Sequence, residues 1–279
     1  MHFYFAYGSN LDFDDWSLWC SKKSADPDGL VEYKRAFLPG FTVKYSHYSS
    51  GRKGGAANLY PVANGLTGTY GALFEIDDNC LELLDLKEGH PNHYQRININ
   101  VLDDKGKSLD AITYISKKYD SNDFFLPSEK YHNLIHNGML RRSMPVIDIE
   151  LAKQNLDNSD CGFIIAYGTL KSGMQREHIM PGKFVSNGKI RGCLYDLGPF
   201  PGLLSGDREV MCEVYHSQNL ESDIGFLDQI EGTDLMPPLY ERKLIPVECD
   251  DGKLRFGICY FYCGDVEGYN VISNGIWGE

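Results

Sequence analysis

The sequence predicts an α+β protein in which one strand-rich domain plan occurs twice. Three short elements appear in the same order in each half: Tyr-Gly followed by Ser or Thr, a helix ending in Glu-Gly, and a Tyr-x-Arg that leads into a strand. They stand at 7–9, 88–89 and 94–96, and again at 167–169, 231–232 and 240–242. This spacing far exceeds that of solenoid repeats, so the pattern indicates two domains that arose by duplication.

The first repeated element is an apolar run that breaks at Tyr-Gly, as F-A-Y-G-S-N-L at 5–11 and as I-A-Y-G-T-L-K at 165–171. It predicts a buried strand and a tight turn. We expect Gly8 and Gly168 to adopt backbone conformations that a side chain forbids, and to let another group approach the backbone closely. Asp12 is a suitable N-cap for a following helix. A strand, a glycine turn and a helix start form a site for a carboxylate or an oxyanion.

Strand patterns dominate the rest of the first hundred residues. Residues 30–46 predict one or two strands, and residues 68–76 predict a strand that precedes a helix. A hairpin is expected over 96–102 and 110–116. Residues 49–58 are glycine-rich and basic, which fits either a flexible hairpin loop or a pocket rim where backbone approaches a ligand.

Two amphipathic helices are predicted to end at the Glu-Gly pairs, 88–89 and 231–232, because glycine is favourable just past a helix end. On position alone, a glutamate before such a glycine fits a solvated surface residue. Asp85 and Asp228 stand three residues before each glutamate, and we expect them to stabilise the helix turns.

The first half closes with helices and a polar linker. Apolar spacing predicts helices over 127–138 and 147–154. The polar run at 155–160 is the expected linker. The predicted domains are therefore 1–157 and 161–279. Further strands are expected in the second domain at 161–163, 189–196, 209–215, 242–249 and 254–262.

Composition excludes several classes of protein. The chain has 279 residues, 42% hydrophobic and 24% charged, with a formal charge of −12 and no basic cluster. Binding to nucleic acid or to an anionic membrane is therefore not expected. The N-terminal residues lack a basic region and read as a first strand, not a signal peptide, so we expect a cytoplasmic protein. The eight cysteines include no C-x-x-C pair and are expected to be mostly reduced core residues.

Together, the repeated elements resemble the gamma-glutamylcyclotransferase family over nearly the whole chain. The first half is similar to the branch that acts on gamma-glutamyl amino acids, in Y-G-S-N-L at 7–11, G-G-A-A-N-L at 54–59 and P-S-E-K-Y at 127–131. The second half is similar to the branch that includes gamma-glutamylamine cyclotransferase, in Y-G-T-L-K at 167–171, L-Y-D-L-G at 194–198 and I-S-N-G-I-W at 272–277.

The resemblance implies a fold and a reaction. Each domain would be a small mixed β-barrel flanked by helices, with a pocket at one barrel mouth. The α-amine of a gamma-glutamyl compound would attack its own γ-carbonyl, releasing 5-oxoproline and a free amino acid or amine. The substrate supplies both reacting groups, so the resemblance implies a small-molecule substrate and no cofactor or metal.

The resemblance also implies that Glu88 and Glu231 act as general acid/base in their domains. An exposed glutamate has a pKa of about 4.3, too low for an efficient base near neutral pH. An apolar pocket would raise that pKa. Because both glutamates stand between the same two flanking elements, we favour this role over a solvated surface position.

The substrate-binding residues that the resemblance implies lie mainly in the glycine turns, whose backbone N–H groups suit an oxyanion. In domain 1 they are Tyr7, Gly8, Ser9, Asn10, Leu11 and Tyr131, and in domain 2 they are Tyr167, Gly168, Thr169 and Leu170. Tyr131 also fits a helix residue that packs on the barrel.

Two alternatives remain open, and a third, a metal site, is not expected. The domains could be non-catalytic modules that bind a small ligand or a partner, or the enzyme could remove a gamma-glutamyl group from a specialised metabolite. His132 and His136 have a spacing that can bind zinc on a helix, but further ligands at fitting positions are missing. We therefore do not expect a metal site.

Overall fold

The computed structural model describes residues 1–63, 65–116 and 123–278. The chain divides into two compact units, Met1–Ser159 (domain 1) and Asp160–Glu279 (domain 2). The division falls inside the polar run at 155–160. Each domain contains a closed five-stranded β-barrel and flanking helices, which confirms the predicted α+β fold class.

Domain 1 combines a barrel with a separate hairpin. Its strands are β1 (His2–Ala6), β2 (Leu30–Pro39), β3 (Phe41–Ser49), β4 (Gly54–Pro61), β5 (Gly68–Ile76), β6 (Tyr94–Asp103) and β7 (Ser108–Ser116). The barrel order is β1-β5-β2-β6-β7, and a parallel pairing of β1 with β7 at Tyr4 and Ile112 closes it. Strands β3 and β4 pair only with each other in the described sheets.

Capping residues that the sequence predicts mark two of the helix ends in domain 1, which has four α-helices in its described segments. The helices are α1 (Phe13–Ser21), α2 (Asp78–Glu88), α3 (Glu129–Leu140) and α4 (Ile147–Lys153). The Asp12 side chain accepts a hydrogen bond from the Asp15 amide, as expected of an N-cap. Gly89 has a φ of 65° and ends α2 in the left-handed conformation that favours glycine.

Domain 2 repeats the plan with longer strands. Its elements are β8 (Gly162–Ala166), β9 (Lys183–Asp196), β10 (Pro201–Ser217), α5 (Leu220–Glu231), β11 (Tyr240–Cys249), β12 (Leu254–Tyr262) and β13 (Asn270–Val271). The ring runs β8-β10-β9-β11-β12 and closes through a parallel pairing of β12 with β8, while β13 pairs with β9.

The shared topology places the same two segments together in both domains. The first strand pairs antiparallel with the strand that precedes the long helix (β5 or β10) and parallel with the last barrel strand (β7 or β12). The glutamate that ends α2 or α5 thereby returns to the turn after the first strand.

Six of the eight cysteines are buried, while Cys193 is half-buried and Cys263 is exposed. In the described part of the chain, no helix has both the length and the apolar character needed to cross a membrane.

Candidate active sites

In domain 1, the end of α2 and the turn after β1 form the wall of a cavity. Glu88 is the last residue of α2 and is half-buried. The residues that line the inner part of the cavity are Tyr4, Tyr7, Gly8, Ser9, Asn10, Ala57, Glu88, Tyr94, Tyr114 and Tyr131. The turn and the glutamate, which are 78 positions apart at Asn10 and Glu88, thus share one aromatic cavity.

The Glu88 carboxyl has an environment suited to proton transfer. Burial raises its pKa, while the charge of Lys87, a hydrogen bond from Asn10 and the charge of Arg52 oppose that rise. The Asn10 Nδ2 donates to Glu88 Oε1 at 3.1 Å and to the Tyr4 hydroxyl at 2.8 Å. The carboxyl is therefore held in one orientation with a pKa above its ordinary value.

The turn at 8–11 leaves donors available. The Leu11 and Asp12 amides donate to the Gly8 and Ser9 carbonyls at 3.1 and 3.0 Å. Within residues 1–63, 65–116 and 123–278, no protein acceptor is hydrogen-bonded to the amides of Gly8, Ser9 or Asn10. Three consecutive free N–H groups can stabilise a developing oxyanion.

The expected conformational role of the motif glycines is wrong. Gly8 has φ −112°, and Gly168 is not among the residues with positive φ, so a side chain is compatible with both in this respect. Close approach explains one of them. A Cβ on Gly168 would lie 2.7 Å from Pro201 Cγ, whereas on Gly8 the nearest atom would be the Tyr131 hydroxyl at 3.7 Å.

Both interpretations of Tyr131, as a substrate-binding residue and as a packing residue of the helix, are compatible with its position. It lies on α3 and also lines the cavity. Its hydroxyl accepts a hydrogen bond from the Ala57 amide at 3.2 Å. Tyr7 lines the cavity and donates to the Tyr114 carbonyl at 2.6 Å. Leu11 does not line the cavity. It is fully buried against α3, where a Cβ on Gly138 would lie 2.7 Å from Leu11 Cβ.

The β3–β4 loop forms the outer rim of this cavity, which favours the pocket-rim interpretation of residues 49–58. Arg52 projects from it and donates to both carboxylate oxygens of Asp15, at 2.7 and 2.5 Å, and to the Ser9 hydroxyl at 3.1 Å. Its guanidinium also lies 5.3 Å from the centre of the Tyr131 ring. The rim is therefore tied to the turn.

Domain 2 presents the same arrangement in a cavity with a more apolar lining. The half-buried Glu231 ends α5 beside the turn. The lining residues are Ile165, Ala166, Tyr167, Gly168, Thr169, Leu170, Arg176, Phe200, Pro201, Ile230, Glu231, Leu239, Tyr240 and Tyr260. The cavity volume is about 70 Å³, against about 40 Å³ for the inner part of the domain 1 cavity and about 410 Å³ for its outer part. Burial raises the pKa of Glu231, and the charge of Arg176 opposes the rise.

Sequence reasoning missed Arg52, Lys87 and Arg176 as site residues. Arg176 is half-buried, and its backbone amide donates to the Thr169 carbonyl at 2.8 Å. In the described segments, its side chain has no protein hydrogen-bond acceptor. All three lie outside the repeated motifs, so only their tertiary contacts reveal them.

In each domain, an aspartate bound by a tyrosine and an arginine fixes the glutamate-bearing helix; we call this set of contacts the buttress. The Tyr114 hydroxyl donates to Asp85 Oδ1 at 2.6 Å, and Arg96 Nη1 donates to Oδ2 at 2.9 Å. The corresponding set in domain 2 is Asp228, Tyr260 and Arg242. The two aspartates thus tie the helix to the last barrel strands, which corrects the expectation that they stabilise the helix turns alone.

We expect Asp85→Asn and Asp228→Asn each to destabilise its own domain by about 1–2 kcal/mol, because one charge-assisted hydrogen bond to arginine is lost. The midpoint of urea unfolding for that domain should fall. Asp14→Asn, on the exposed face of α1, is the control and should change stability by less than about 0.5 kcal/mol. Equal effects of all three substitutions would contradict the buttress.

The histidine pair on α3 has protein partners. His132 Nδ1 lies 2.9 Å from the Tyr45 hydroxyl, and Nε2 lies 2.8 Å from Glu150 Oε1, which His136 approaches at 3.6 Å. Across the described residues, no group of three or more His, Cys, Asp or Glu side chains is placed to hold a metal ion. These contacts join α3 to β3 and α4.

Comparison with known families gives a match in each domain. The family model described as "Gamma-glutamyl cyclotransferase, AIG2-like" matches residues 164–279, and the model described as "AIG2-like family" matches residues 69–149. A protein of Methanocaldococcus jannaschii described as "Putative gamma-glutamylcyclotransferase" is 36% identical over 44 residues, which are 16% of this chain. The chain spans 37% of the length of that relative.

Solved structures give broader but weaker matches. A gamma-glutamyl cyclotransferase has a TM-score of 0.46 and 24% identity, over 55% of this chain and 86% of its own. An AIG2-like protein from Mus musculus has a TM-score of 0.34 and 19% identity, over 43% of this chain and 80% of its own. YkqA from Bacillus subtilis has a TM-score of 0.32 and 16% identity, over 95% of this chain and 84% of its own.

Proposed function

We propose that this chain cyclises gamma-glutamyl compounds, with one active site in each domain. The proposal is supported by the match of residues 164–279 to the gamma-glutamyl cyclotransferase, AIG2-like model and of residues 69–149 to the AIG2-like family model. The products are 5-oxoproline and a free amino acid or amine. The observation that carries the proposal is a half-buried glutamate with a raised pKa beside a turn with free amides, found in both domains.

The reaction needs proton transfer and orientation. The ionised glutamate takes a proton from the substrate α-ammonium, and the amine nitrogen then forms a bond to the γ-carbonyl carbon. The protonated glutamate gives this proton to the leaving nitrogen as the carbon–nitrogen bond to the leaving group breaks. The ionised carboxylate then takes the second proton from the ring nitrogen and passes it to the released amine or to water. One carboxyl serves both steps because it ends in the state in which it began.

The two parts of the wall have separate roles in this proposal. The free amides of Gly8, Ser9 and Asn10 stabilise the negative charge that develops on the γ-carbonyl oxygen. The tyrosine walls fold the substrate so that its amine faces its own carbonyl. Because the reacting groups are already oriented, the entropic part of the activation barrier is lowered.

The two sites differ in what they offer the leaving group. The outer cavity of domain 1 is wide, and its arginine is already paired with Asp15. The domain 2 cavity is narrow, and Arg176 supports pairing with a carboxylate of the substrate. We therefore expect the domains to prefer different gamma-glutamyl compounds.

The experiment is 5-oxoproline release by the purified protein from a panel of gamma-glutamyl dipeptides and gamma-glutamyl amines. Release by the wild type, followed chromatographically, is the expected result. Titration calorimetry with the same panel distinguishes the enzyme from the main alternative, a non-catalytic binding module. If panel compounds bind but none releases 5-oxoproline, the proposed cyclotransferase activity is contradicted. The protein would then be a binding module, or its substrate would be a specialised metabolite outside the panel.

A further inference from the structure

Lys87 is a buried cation next to the domain 1 glutamate that the proposed reaction does not use. Only 7% of its side chain is exposed. Its ammonium lies 5.2 and 5.9 Å from the ring centres of Trp16 and Trp19 and 3.6 Å from Asp15 Oδ2. Burying an ammonium is costly unless it is paired, so this position requires a specific function or strong compensation.

The shortest contact of Lys87 is with Asn10. Its Nζ donates to Asn10 Oδ1 at 2.6 Å. With the oxygen so engaged, the Asn10 Nδ2 points its two protons at Glu88 Oε1 and the Tyr4 hydroxyl, at 3.1 and 2.8 Å. The reversed amide would place its NH₂ against the ammonium and its oxygen against the Glu88 carboxylate. Lys87 therefore selects the orientation that donates to Glu88.

We propose that Lys87 is a positioning residue of the domain 1 site, which acts through Asn10 to hold Glu88 ionised and aligned. This inference rests on the proposed function for its kinetic readout. It assigns Lys87 no contact with substrate. The consequence is that loss of Lys87 should raise the pH at which domain 1 becomes active.

Other groups around Glu88 bear on this pH dependence. Arg52 adds a second positive charge, largely paired with Asp15. The remaining titratable groups that interact with the carboxyl are the neutral hydroxyls of Tyr4, Tyr7, Tyr94 and Tyr131. Lys87 and Arg52 are thus the cations that favour the charged form of Glu88 against burial.

Domain 2 has no counterpart of Lys87 and Asn10 beside its glutamate. The residue before Glu231 is Ile230, and the position that corresponds to Asn10 in the turn is Leu170. Both line the domain 2 cavity, where Arg176 alone opposes the effect of burial on the pKa of Glu231. The two sites therefore differ in this cation and this amide.

The test uses Lys87→Met in the Glu231→Gln background, in which only domain 1 turns over. In the pH profile of kcat/KM, the acid limb reports the ionisation of Glu88 in the free enzyme. Removal of an opposite charge should move that limb up by about one pH unit, so activity falls about tenfold at pH below the limb. Loss of the donor to Asn10 should lower kcat at pH above the limb by a smaller factor. Lys87→Gln, which keeps a donor for Asn10, should restore alignment and therefore kcat at high pH, but not the position of the limb.

Lys23→Met is the matched control, because Lys23 is exposed and its loss changes the net charge equally. It should leave the limb in place. An equal loss at every pH in Lys87→Met would overturn the proposal and make Lys87 merely structural. The pKa of Glu88, followed by carbon NMR and assigned with Glu88→Gln, should rise in Lys87→Met even if the protein releases no 5-oxoproline. An unchanged pKa overturns the proposal independently of activity.

Discussion

A chain that carries both Glu88→Gln and Glu231→Gln is expected to release no measurable 5-oxoproline. Glutamine keeps the shape of each side chain but cannot accept and return a proton. Loss of a general acid/base costs a site about 10²- to 10⁴-fold in rate. Each single variant should lose that factor only for the substrates of its own domain, measured as kcat/KM across the panel.

Glu82→Gln on α2 and Glu221→Gln on α5 are the matched controls, because both glutamates are exposed on the same helices. They should retain wild-type release. If the double variant still forms 5-oxoproline, the proposed catalytic roles of Glu88 and Glu231 are wrong. If one single variant abolishes all release, only one of the two domains is active.

Gly168→Ala is expected to reduce the kcat/KM of domain 2 about 100-fold. The added methyl would lie 2.7 Å from Pro201 Cγ and 3.1 Å from Cδ, closer than side chains pack. Pro201 lines the cavity, and its carbonyl accepts a hydrogen bond from the Tyr240 hydroxyl at 2.6 Å. The turn or this wall must therefore move, and a shift of about 1 Å at a reacting site costs about that factor.

Gly8→Ala provides the control at the same position of the motif. There the added methyl would have its nearest neighbour, the Tyr131 hydroxyl, at an ordinary 3.7 Å. With the Glu231→Gln or Glu88→Gln background isolating each domain, the loss in domain 1 should stay within about tenfold. Comparable losses in both domains would show that the glycine serves the turn itself and not the contact with Pro201.

The ends of helices and strands could be predicted from the sequence where residues close in the chain determine them. The strand at 68–76 matches β5, and Ser128 caps α3 through its side chain. The glycines at 89 and 232 have φ of 65° and 63°, as helix-ending glycines require. In each case, a short stretch of chain contains both the signal and its cause.

The parts that could not be predicted depend on contacts between distant segments. Lys87 and Arg52 meet around the turn only after the hairpin and α2 pack on the barrel. Leu11 belongs to the turn motif, but the packing of α3 draws it into the core. Asp85 lies in a helix pattern, yet its partner Tyr114 is 29 residues away. No local pattern encodes such pairings.

Closure of the two barrels has a consequence for the folding of the chain. Neighbouring domains of similar sequence are prone to misassembly by exchanging strands. Within each barrel, every strand has a partner on both sides, so an exchanged strand would have to displace pairings that already exist. The lengths also mismatch, since β9 and β10 have 14 and 17 residues whereas β2 and β5 have 10 and 9. A hybrid barrel would leave backbone groups unpaired, which favours correct assembly of each half.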